Sequence, residues 1–155
     1  MRIESFLKQS PIFQANRMAR RMDAALAEVL KAEELSVFEA MLLVAVFFEG
    51  RGAIKPSELA EAFQTTRGNV SHCVSSLEAK GLVGRRIDPE DARGVQLVLR
   101  PAGRRRAARV AGIFDRVQRR LEEVEGVERL EGMLRQLSKV EVLCGEFASA
   151  RRGIR

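Results

Sequence analysis

Apolar residues recur at alternating spacings of three and four near the start of the chain, a period that predicts amphipathic helices. One helix is predicted from Pro11 to Ala32. Its apolar seam comprises Ala15, Met18, Met22, Ala25 and Val29. The next helix, Val37 to Phe48, is apolar on almost every side and is expected in the centre of the core. Ser36 and Glu39 form a capping-box sequence that marks its start.

Short segments with clear boundary signals follow this helix. Gly50 and Gly52 are expected to end it, and Ile54 is expected to form a short strand. A third helix is predicted from Pro56 to Phe63, because the missing amide of proline costs nothing in a first helical turn.

A fourth helix is predicted from an N-cap at Thr66 to about Lys80, where Gly81 stops it. Its inward stripe is formed by Val70, Cys73, Val74 and Leu77. The polar residues on its other side are expected to face outward: Arg67, Gly68, Asn69, Ser71, His72 and Ser75.

Two short strands, Val83 to Ile87 and Val95 to Leu99, are predicted after this helix. A polar tip that contains Pro89, Gly94 and Arg93 joins them, and such residues reverse a chain. A two-stranded ribbon with a charged tip, placed after a helix–turn–helix pattern, is the layout of a winged helix.

The last part of the chain predicts two long helices, which Pro101 opens and Gly126 interrupts. Their apolar positions follow a heptad-like spacing and are Val110, Phe114, Val117, Leu121, Val124, Leu130, Leu134, Leu137, Val140, Cys144 and Phe147. A winged helix of about 60 residues is too small to cover these seams and that of the first helix. We therefore expect a twofold-symmetric homodimer. The alternative is a monomer whose helices fold back onto the winged helix.

The length of 155 residues indicates one domain, or one domain with appended helices. With 46% hydrophobic and 31% charged residues, the composition fits a globular protein. It shows no signal-peptide pattern, and no apolar stretch approaches the ~20 residues that span a bilayer. A cytoplasmic protein is expected. Two cysteines and one histidine predict neither a disulfide framework nor a metal site, and no catalytic constellation or cofactor motif is found.

Positive charge is concentrated between Lys80 and Arg109. This segment has three acidic residues, Asp88, Glu90 and Asp91, and nine basic residues, which are Lys80, Arg85, Arg86, Arg93, Arg100, Arg104, Arg105, Arg106 and Arg109. It therefore contains the whole formal excess of +6. Three arginines, Arg104 to Arg106, lie in a first helical turn, where the helix dipole disfavours cations. Both features indicate a polyanionic partner, although a solvated face or an acidic neighbour within the protein would also explain them.

The sequence from about Leu35 to Arg109 resembles the MarR family of bacterial transcription regulators. The matching segments are Pro56 to Ala60, Thr66 to Ser71, Leu77 to Val83, Asp88 to Arg93 and Val98 to Gly103. Two positions depart from the family pattern, because Arg100 replaces a threonine and Gln64 stands where a small residue is common.

The resemblance implies a mostly α-helical winged helix-turn-helix fold with a small β wing. It implies an N-terminal dimerisation helix at 1–35, a DNA-binding region at 36–103 and C-terminal dimerisation helices at 104–155. Family members bind double-stranded DNA as homodimers at pseudo-palindromic operators, commonly as repressors. Many release it when a small, often aromatic, effector binds, and others respond to thiol oxidation.

The resemblance places DNA contacts on the fourth helix and on the wing. The candidate DNA-binding residues are Thr66, Arg67, Gly68, Asn69, Ser71, His72, Ser75, Arg85, Arg86, Asp91 and Arg93. At the wing tip, Arg93 is expected to enter a minor groove while Asp91 orients it. Arg85 and Arg86 point to opposite strand faces, so at most one of them faces the phosphates directly.

Three alternatives remain open at this level. Cys73 and Cys144 lie on apolar stripes and are expected to be structural thiols, the alternative being a redox sensor. Four phenylalanines, Phe13, Phe38, Phe47 and Phe48, belong either to the core, the preferred interpretation, or to an effector pocket. A non-specific architectural DNA-binding or interaction module without an effector is the alternative function.

Overall fold

In the computed structural model, residues 3–49, 53–88 and 91–152 are described. Seven α-helices and two strands follow one another in this part of the chain. They are α1 (Ile3–Gln9), α2 (Pro11–Leu30), α3 (Val37–Phe48), α4 (Pro56–Ala62), α5 (Arg67–Ala79), β1 (Val83–Asp88), β2 (Asp91–Leu99), α6 (Pro101–Glu125) and α7 (Val127–Arg152). The prediction of a mostly helical winged helix-turn-helix is confirmed. Gly50, Gly52 and Pro89 lie outside the described residues.

The chain divides into two compact units. One is Arg21–Phe114, and the other combines Met1–Arg20 with Asp115–Arg155. The predicted division at residues 35 and 103 stays a prediction, because it concerns assembly with a second copy.

Helix boundaries agree with the sequence where a capping residue defines them. Ser36 Oγ accepts the amide of Glu39 at 3.2 Å, and the Glu39 carboxylate accepts the amide of Ser36 at 2.7 Å, so the capping box is confirmed. Sequence reasoning did not predict α1, and it extended α2 to Ala32. That end is instead a 3₁₀ turn, Lys31–Glu33, after which Glu34 adopts a left-handed conformation with φ 54°.

Left-handed backbone also joins the helices of the helix–turn–helix. Gln64, between α4 and α5, has φ 47°, where a side chain costs roughly 1–2 kcal/mol relative to glycine. Gln64, which stands where MarR-family sequences commonly have a small residue, therefore leaves backbone strain in this turn. Gly81, directly after α5, has φ 70° and carries no such cost.

The wing is a two-stranded antiparallel sheet in which Val83 pairs with Leu99 and Ile87 with Val95. A register shift follows Ile87, and Asp88 then pairs with Asp91. Compared with the sequence prediction, β1 is one residue longer and β2 begins four residues earlier. Ile54 forms a single bridge to Leu97 rather than a strand of several residues. This bridge joins the wing base to the segment before α4.

The core of the Arg21–Phe114 unit gathers the apolar sides of α3, α4, α5, the wing base and the start of α6. Its fully buried large side chains are Leu30, Leu42, Leu43, Leu59, Leu77, Leu97, Val46, Val70, Val74, Val83 and Val110. The predicted inward stripe of α5 is therefore confirmed. One expectation for α3 was wrong: Phe48, at its C-terminal end, is 69% exposed.

Helices of the other unit expose many large apolar side chains in the single chain. Those on α1, α2, α6 and α7 include Ile3, Ile12, Phe13, Met18, Leu121, Val124, Met133, Leu134, Leu137, Val142, Leu143 and Phe147. Six of them belong to the seams read from the sequence, and within one chain the structure leaves these accessible to solvent: Met18, Leu121, Val124, Leu134, Leu137 and Phe147.

Helix α6 begins in close contact with the turn after α5. The amide of Arg100 donates to the carbonyl of Leu82 at 3.0 Å. A Cβ added at Gly103 would lie 1.8 Å from the same carbonyl oxygen. Glycine is therefore required here by close packing.

We predict that Gly103→Ala destabilises the protein by roughly 3 kcal/mol, because a backbone carbonyl must move to admit the methyl group. Urea unfolding monitored by circular dichroism measures the decrease in the free energy of unfolding. Gly145→Ala is the matched control, since a Cβ there meets nothing within 4 Å and alanine favours the interior of α7. Equal stability of the two variants would contradict the packing argument.

Candidate nucleic-acid interface

The N-terminal turn of α5 is held by its own side chains. Thr66 Oγ1 accepts the amide of Asn69 at 3.1 Å, which confirms the predicted cap. The Asn69 side-chain amide donates to Thr65 Oγ1 at 3.0 Å. One amide hydrogen and the carbonyl oxygen of Asn69 are not used in this bond, so this oriented side chain still presents a donor–acceptor pair.

All the polar residues predicted to face outward from α5 are exposed, as expected: Arg67, Gly68, Asn69, Ser71, His72 and Ser75. Gly68 has ordinary backbone angles, and a Cβ there would meet only Thr66 Oγ1, at 3.9 Å. Within the described protein, no contact requires glycine at this position.

Two arginines of β1 are held by side chains of the same unit. Arg85 Nε lies 3.0 Å from Glu78 Oε2 on α5, and its Nη2 donates to Ser75 Oγ at 3.4 Å. Arg86 Nη2 donates to Gln96 Oε1 at 3.0 Å, across the strand pair. Arg85 is thus oriented along α5, whereas Arg86 lies along the wing. A guanidinium has five N–H donors, so both retain donors for an external anion.

The tip of the wing changes part of the sequence interpretation. The backbones of Asp91 and Arg93 belong to β2, but their side chains, like residue Glu90, lie outside the described part, so the predicted pair between them stays a prediction. Asp88 does not belong to the exposed tip. It is 3% exposed, and its Oδ2 lies 2.7 Å from Lys55 Nζ, which anchors the wing to the start of α4.

Several bases of the Lys80–Arg109 segment are bound to acids elsewhere in the chain. Arg109 pairs with both carboxylate oxygens of Glu33 at 3.0 Å, and Arg106 Nη1 donates to the Glu33 carbonyl at 2.6 Å. For Arg106, the alternative of an acidic neighbour within the protein is therefore confirmed, because Glu33 lies beside it. Among the described residues, Arg100, Arg104 and Arg105 have no ion pair.

The arginines beside Glu33 shift the pKa of its carboxyl group. The hydrogen bond from Arg109 lowers its pKa, partial burial opposes this, and the positive charges of Arg109 and Arg106 lower it further, so the pKa lies below its ordinary value. Glu33 is thus an anion that ties the end of α2 to α6.

Sequence reasoning identified Glu39 only as a capping residue, but it is also the acid of a buried ion pair. Glu39 is 7% exposed, and its Oε1 and Oε2 accept Lys80 Nζ at 2.9 and 2.8 Å. Ser76 Oγ donates to Oε1 at 2.5 Å. Burial opposes ionisation, but the hydrogen bonds from Lys80, Ser76 and the Ser36 amide outweigh it and lower the pKa of Glu39. The separation of 41 residues between Glu39 and Lys80 explains why no local pattern revealed the pair.

The two cysteines differ in environment. Cys73 is buried, as expected, and its burial, with the nearby charge of Glu39, raises the pKa of the thiol to about 12 despite the charge of Lys80. Cys144, which the sequence places on an apolar stripe of the last helix, is exposed on α7 in the single chain. The thiolate is the reactive form of cysteine, so Cys73 is unsuited to sensing oxidants.

No helix in the described ranges is long and apolar enough to cross a membrane. The same ranges bring together no group of three or more His, Cys, Asp or Glu able to hold a metal ion.

We predict that Cys73 does not react with a disulfide reagent at neutral pH while the chain is folded, so that at most one thiol per chain reacts. Burial and a pKa of about 12 protect Cys73, whereas Cys144 is exposed in the single chain. Absorbance of the released thiolate counts the reactive groups. Cys144→Ser is the control, and rapid reaction of that folded variant would show that Cys73 is accessible after all.

Comparisons with known proteins agree with this geometry. Residues 49–95, from the end of α3 to the middle of the wing, match the model of the MarR family. Comparison with curated protein sequences gave no match.

Solved structures share the fold across most of the chain. The structure of S. aureus MepR in complex with DNA is similar at 20% identity with a TM-score of 0.78, covering 88% of this chain and 98% of that chain. A mutant of E. coli MarR complexed with operator DNA is similar at 21% identity with a TM-score of 0.73, covering 87% and 96%. The transcriptional regulator SlyA is similar at 16% identity with a TM-score of 0.73, covering 88% and 96%. The family model matches the helix–turn–helix and part of the wing, and the solved structures show that the chain has their winged-helix fold.

Proposed function

We propose that this protein is a sequence-specific DNA-binding transcription regulator, and that α5 is its recognition helix. The observation that carries the proposal is the N-terminal turn of α5, where Arg67, Asn69 and Ser71 are exposed on a helix whose other side is locked in the core. The N-terminal residues of a recognition helix are those that meet base edges in the major groove.

The chemistry of this turn suits direct base readout. An arginine such as Arg67 can pair with O6 and N7 of guanine, and an asparagine can pair with N6 and N7 of adenine. Asn69 retains an amide hydrogen and its carbonyl oxygen for that second pattern after bonding to Thr65. Thr66, Ser71, His72 and Ser75 surround these two side chains and supply hydroxyl and imidazole groups for bases or phosphates.

The wing supplies contacts that depend on the shape of DNA. Arg93 would enter the minor groove, held by Asp91, and a narrow groove attracts such a cation through its enhanced negative potential. Arg85, already oriented along α5 by Glu78, would face the phosphates beside the recognition helix. Arg86 would extend this basic surface along the wing.

We further propose that the protein acts as a homodimer. The exposed apolar seams of α1, α2, α6 and α7 support this assembly, because a second copy of the same helices would cover them. A dimer places two recognition helices about one turn of DNA apart, which matches a pseudo-palindromic operator. A repressor is the role we propose for such a complex.

Release by a small molecule is the proposed regulation. Within the Arg21–Phe114 unit, an open groove of about 560 Å³ is lined by Asp23, Ala24, Ala27, Ser36, Val37, Phe38, Met41 and Asn69. Its apolar side chains and Phe38 suit an aromatic molecule. Asp23 is the one charged side chain among the described residues of the lining, so a neutral or cationic effector is favoured over an anion. Because Asn69 belongs both to this lining and to α5, an occupant would contact the readout surface.

Selection of DNA from a pool of duplexes with a randomised segment tests the function. We expect enrichment of an inverted repeat with half-sites about 10 base pairs apart, bound by two chains, since each recognition helix reads one half-site. Arg67→Ala and Asn69→Ala should change the preference at individual positions. Arg93→Ala should weaken binding, either by lowering the salt slope by about one phosphate equivalent or by relaxing the preference for a narrow minor groove.

Two results would contradict this proposal. If no sequence is enriched, the protein is a non-specific architectural module. If a sequence is enriched but neither Arg67→Ala nor Asn69→Ala changes the preference, readout occurs elsewhere than on α5.

We also predict that Gly68→Ala weakens operator binding about tenfold while leaving the protein as stable or more stable. Alanine fits at this position and favours a helix by up to ~1 kcal/mol, but its methyl group would separate the α5 backbone from DNA. Thermal unfolding and operator titration together measure the two effects. Unchanged affinity would show that α5 does not approach DNA closely at this position.

A further inference from the structure

We propose that Lys80 is a positioning residue for base readout: it fastens the C-terminal end of α5 to the junction between α2 and α3, and so fixes the direction of the N-terminal turn. The proposal rests on the function proposed above. It assigns Lys80 a role different from the one its place in a basic segment indicated.

The ammonium of Lys80 is fully used inside the protein. Its Nζ donates to Oε1 and Oε2 of Glu39 at 2.9 and 2.8 Å and to the carbonyl oxygen of Glu34 at 2.8 Å. An ammonium has three N–H donors, so each has an acceptor. A contact to a DNA phosphate would require one of these bonds to break, which makes Lys80 a poor phosphate ligand although its side chain is 33% exposed.

The turn between α2 and α3, to which Lys80 binds, is also bound by α6. Two consecutive carbonyls of the turn are bound by cations from different helices: that of Glu33 by Arg106 of α6, and that of Glu34 by Lys80. Glu34 has left-handed backbone, and the Glu33 carboxylate is paired with Arg109. Helix α5 is therefore tied through one short turn to both α2 and α6.

Ser76 and Glu39 complete the attachment. Ser76 of α5 lies one helical turn before Lys80, the C-cap of this helix, and donates to the same carboxylate, so both residues are bound to one group at the start of α3. Glu39 also accepts the amide of Ser36, a residue of the groove lining. The clamp, defined as Glu34, Glu39, Ser76 and Lys80, thus joins the ends of three helices.

Geometry explains why the clamp affects specificity more than affinity. The 13 residues of α5 span about 20 Å, so a tilt of about 5° at the clamped end moves the readout turn by about 2 Å. Productive contacts tolerate about 0.5 Å, whereas long side chains on phosphates adjust to such a shift. Loss of the clamp should therefore remove discrimination among bases and retain the sequence-independent attraction.

The experiment compares Lys80→Met with the wild type on the selected operator and on a scrambled duplex of equal length, across a range of salt concentrations. We expect the ratio of operator to scrambled affinity to fall about tenfold. Scrambled binding and its salt slope should stay unchanged, because no phosphate contact is lost. Lys31→Met, which removes an exposed lysine that pairs with Glu28 three residues before it, is the matched control and should retain the ratio.

A second variant distinguishes loss of the clamp from loss of the folded structure. Lys80→Met leaves the Glu39 carboxylate buried without its cation, which is strongly destabilising. The double variant Lys80→Met with Glu39→Gln removes both charges and keeps an acceptor for the Ser36 amide. Circular dichroism establishes that it is folded, and it should show the same loss of discrimination.

The outcomes separate this proposal from the function on which it rests. An equal loss on both duplexes with a salt slope lowered by about one would make Lys80 a phosphate contact and overturn the proposal. A folded double variant that keeps the full operator preference would overturn it as well, while leaving the regulator function intact. A wild type with no preference would overturn the proposed function and this proposal together.

Discussion

Burial of the Glu39 carboxylate sets a condition that the surrounding helices must satisfy. A buried charge is tolerated only when it is paired and hydrogen-bonded, and every partner of Glu39 comes from a helix end. Ser36 supplies an amide at the start of α3, and Ser76 and Lys80 approach from the last turn of α5. The apolar core brings these helices together without dictating one orientation, whereas the carboxylate accepts its donors in few arrangements.

The Arg21–Phe114 unit contains further ion pairs of this kind. In each, an acid at the end of one element binds a cation of another element. Glu33 holds Arg106 and Arg109 of α6, Glu78 holds Arg85 of the wing, and Asp88 binds Lys55 at the start of α4. Exposed pairs of this kind contribute little stability, but those that are partly buried restrict geometry. Part of the positive charge between Lys80 and Arg109 is thus used in ion pairs that hold elements of this unit together.

This changes the meaning of charge in the protein. The excess between Lys80 and Arg109 indicated a polyanionic partner, and that inference still supports the proposed function. The structure divides the excess between bases that build the unit and bases that remain available. Among the described residues, Arg100, Arg104 and Arg105 belong to the second group, and Arg67 on α5, outside this segment, is exposed as well. The proposed readout surface is accordingly smaller and more sharply defined than the basic segment.

Local signals determined much of the fold from the sequence alone. Ser36 and Thr66 marked helix starts, Gly81 marked the end of α5, and the stripe from Val70 to Leu77 identified its buried side. These features depend on residues within one or two turns of each other, so a linear pattern contains them. The exposed residues of α5 could be predicted in the same way, because they are the residues of this helix that do not belong to the buried stripe.

Only the tertiary structure decided which charges are available and which glycines are required. Glu39 meets Lys80 over 41 residues, and Glu33 meets Arg109 over 76. Gly103 is required by a carbonyl of Leu82, while Gly68 meets no obstacle. Such contacts arise from how the helices pack, and no spacing along the chain encodes them. The sequence therefore determined the helices, the wing and the side of α5 that faces outward, and the tertiary structure decided how that helix is held.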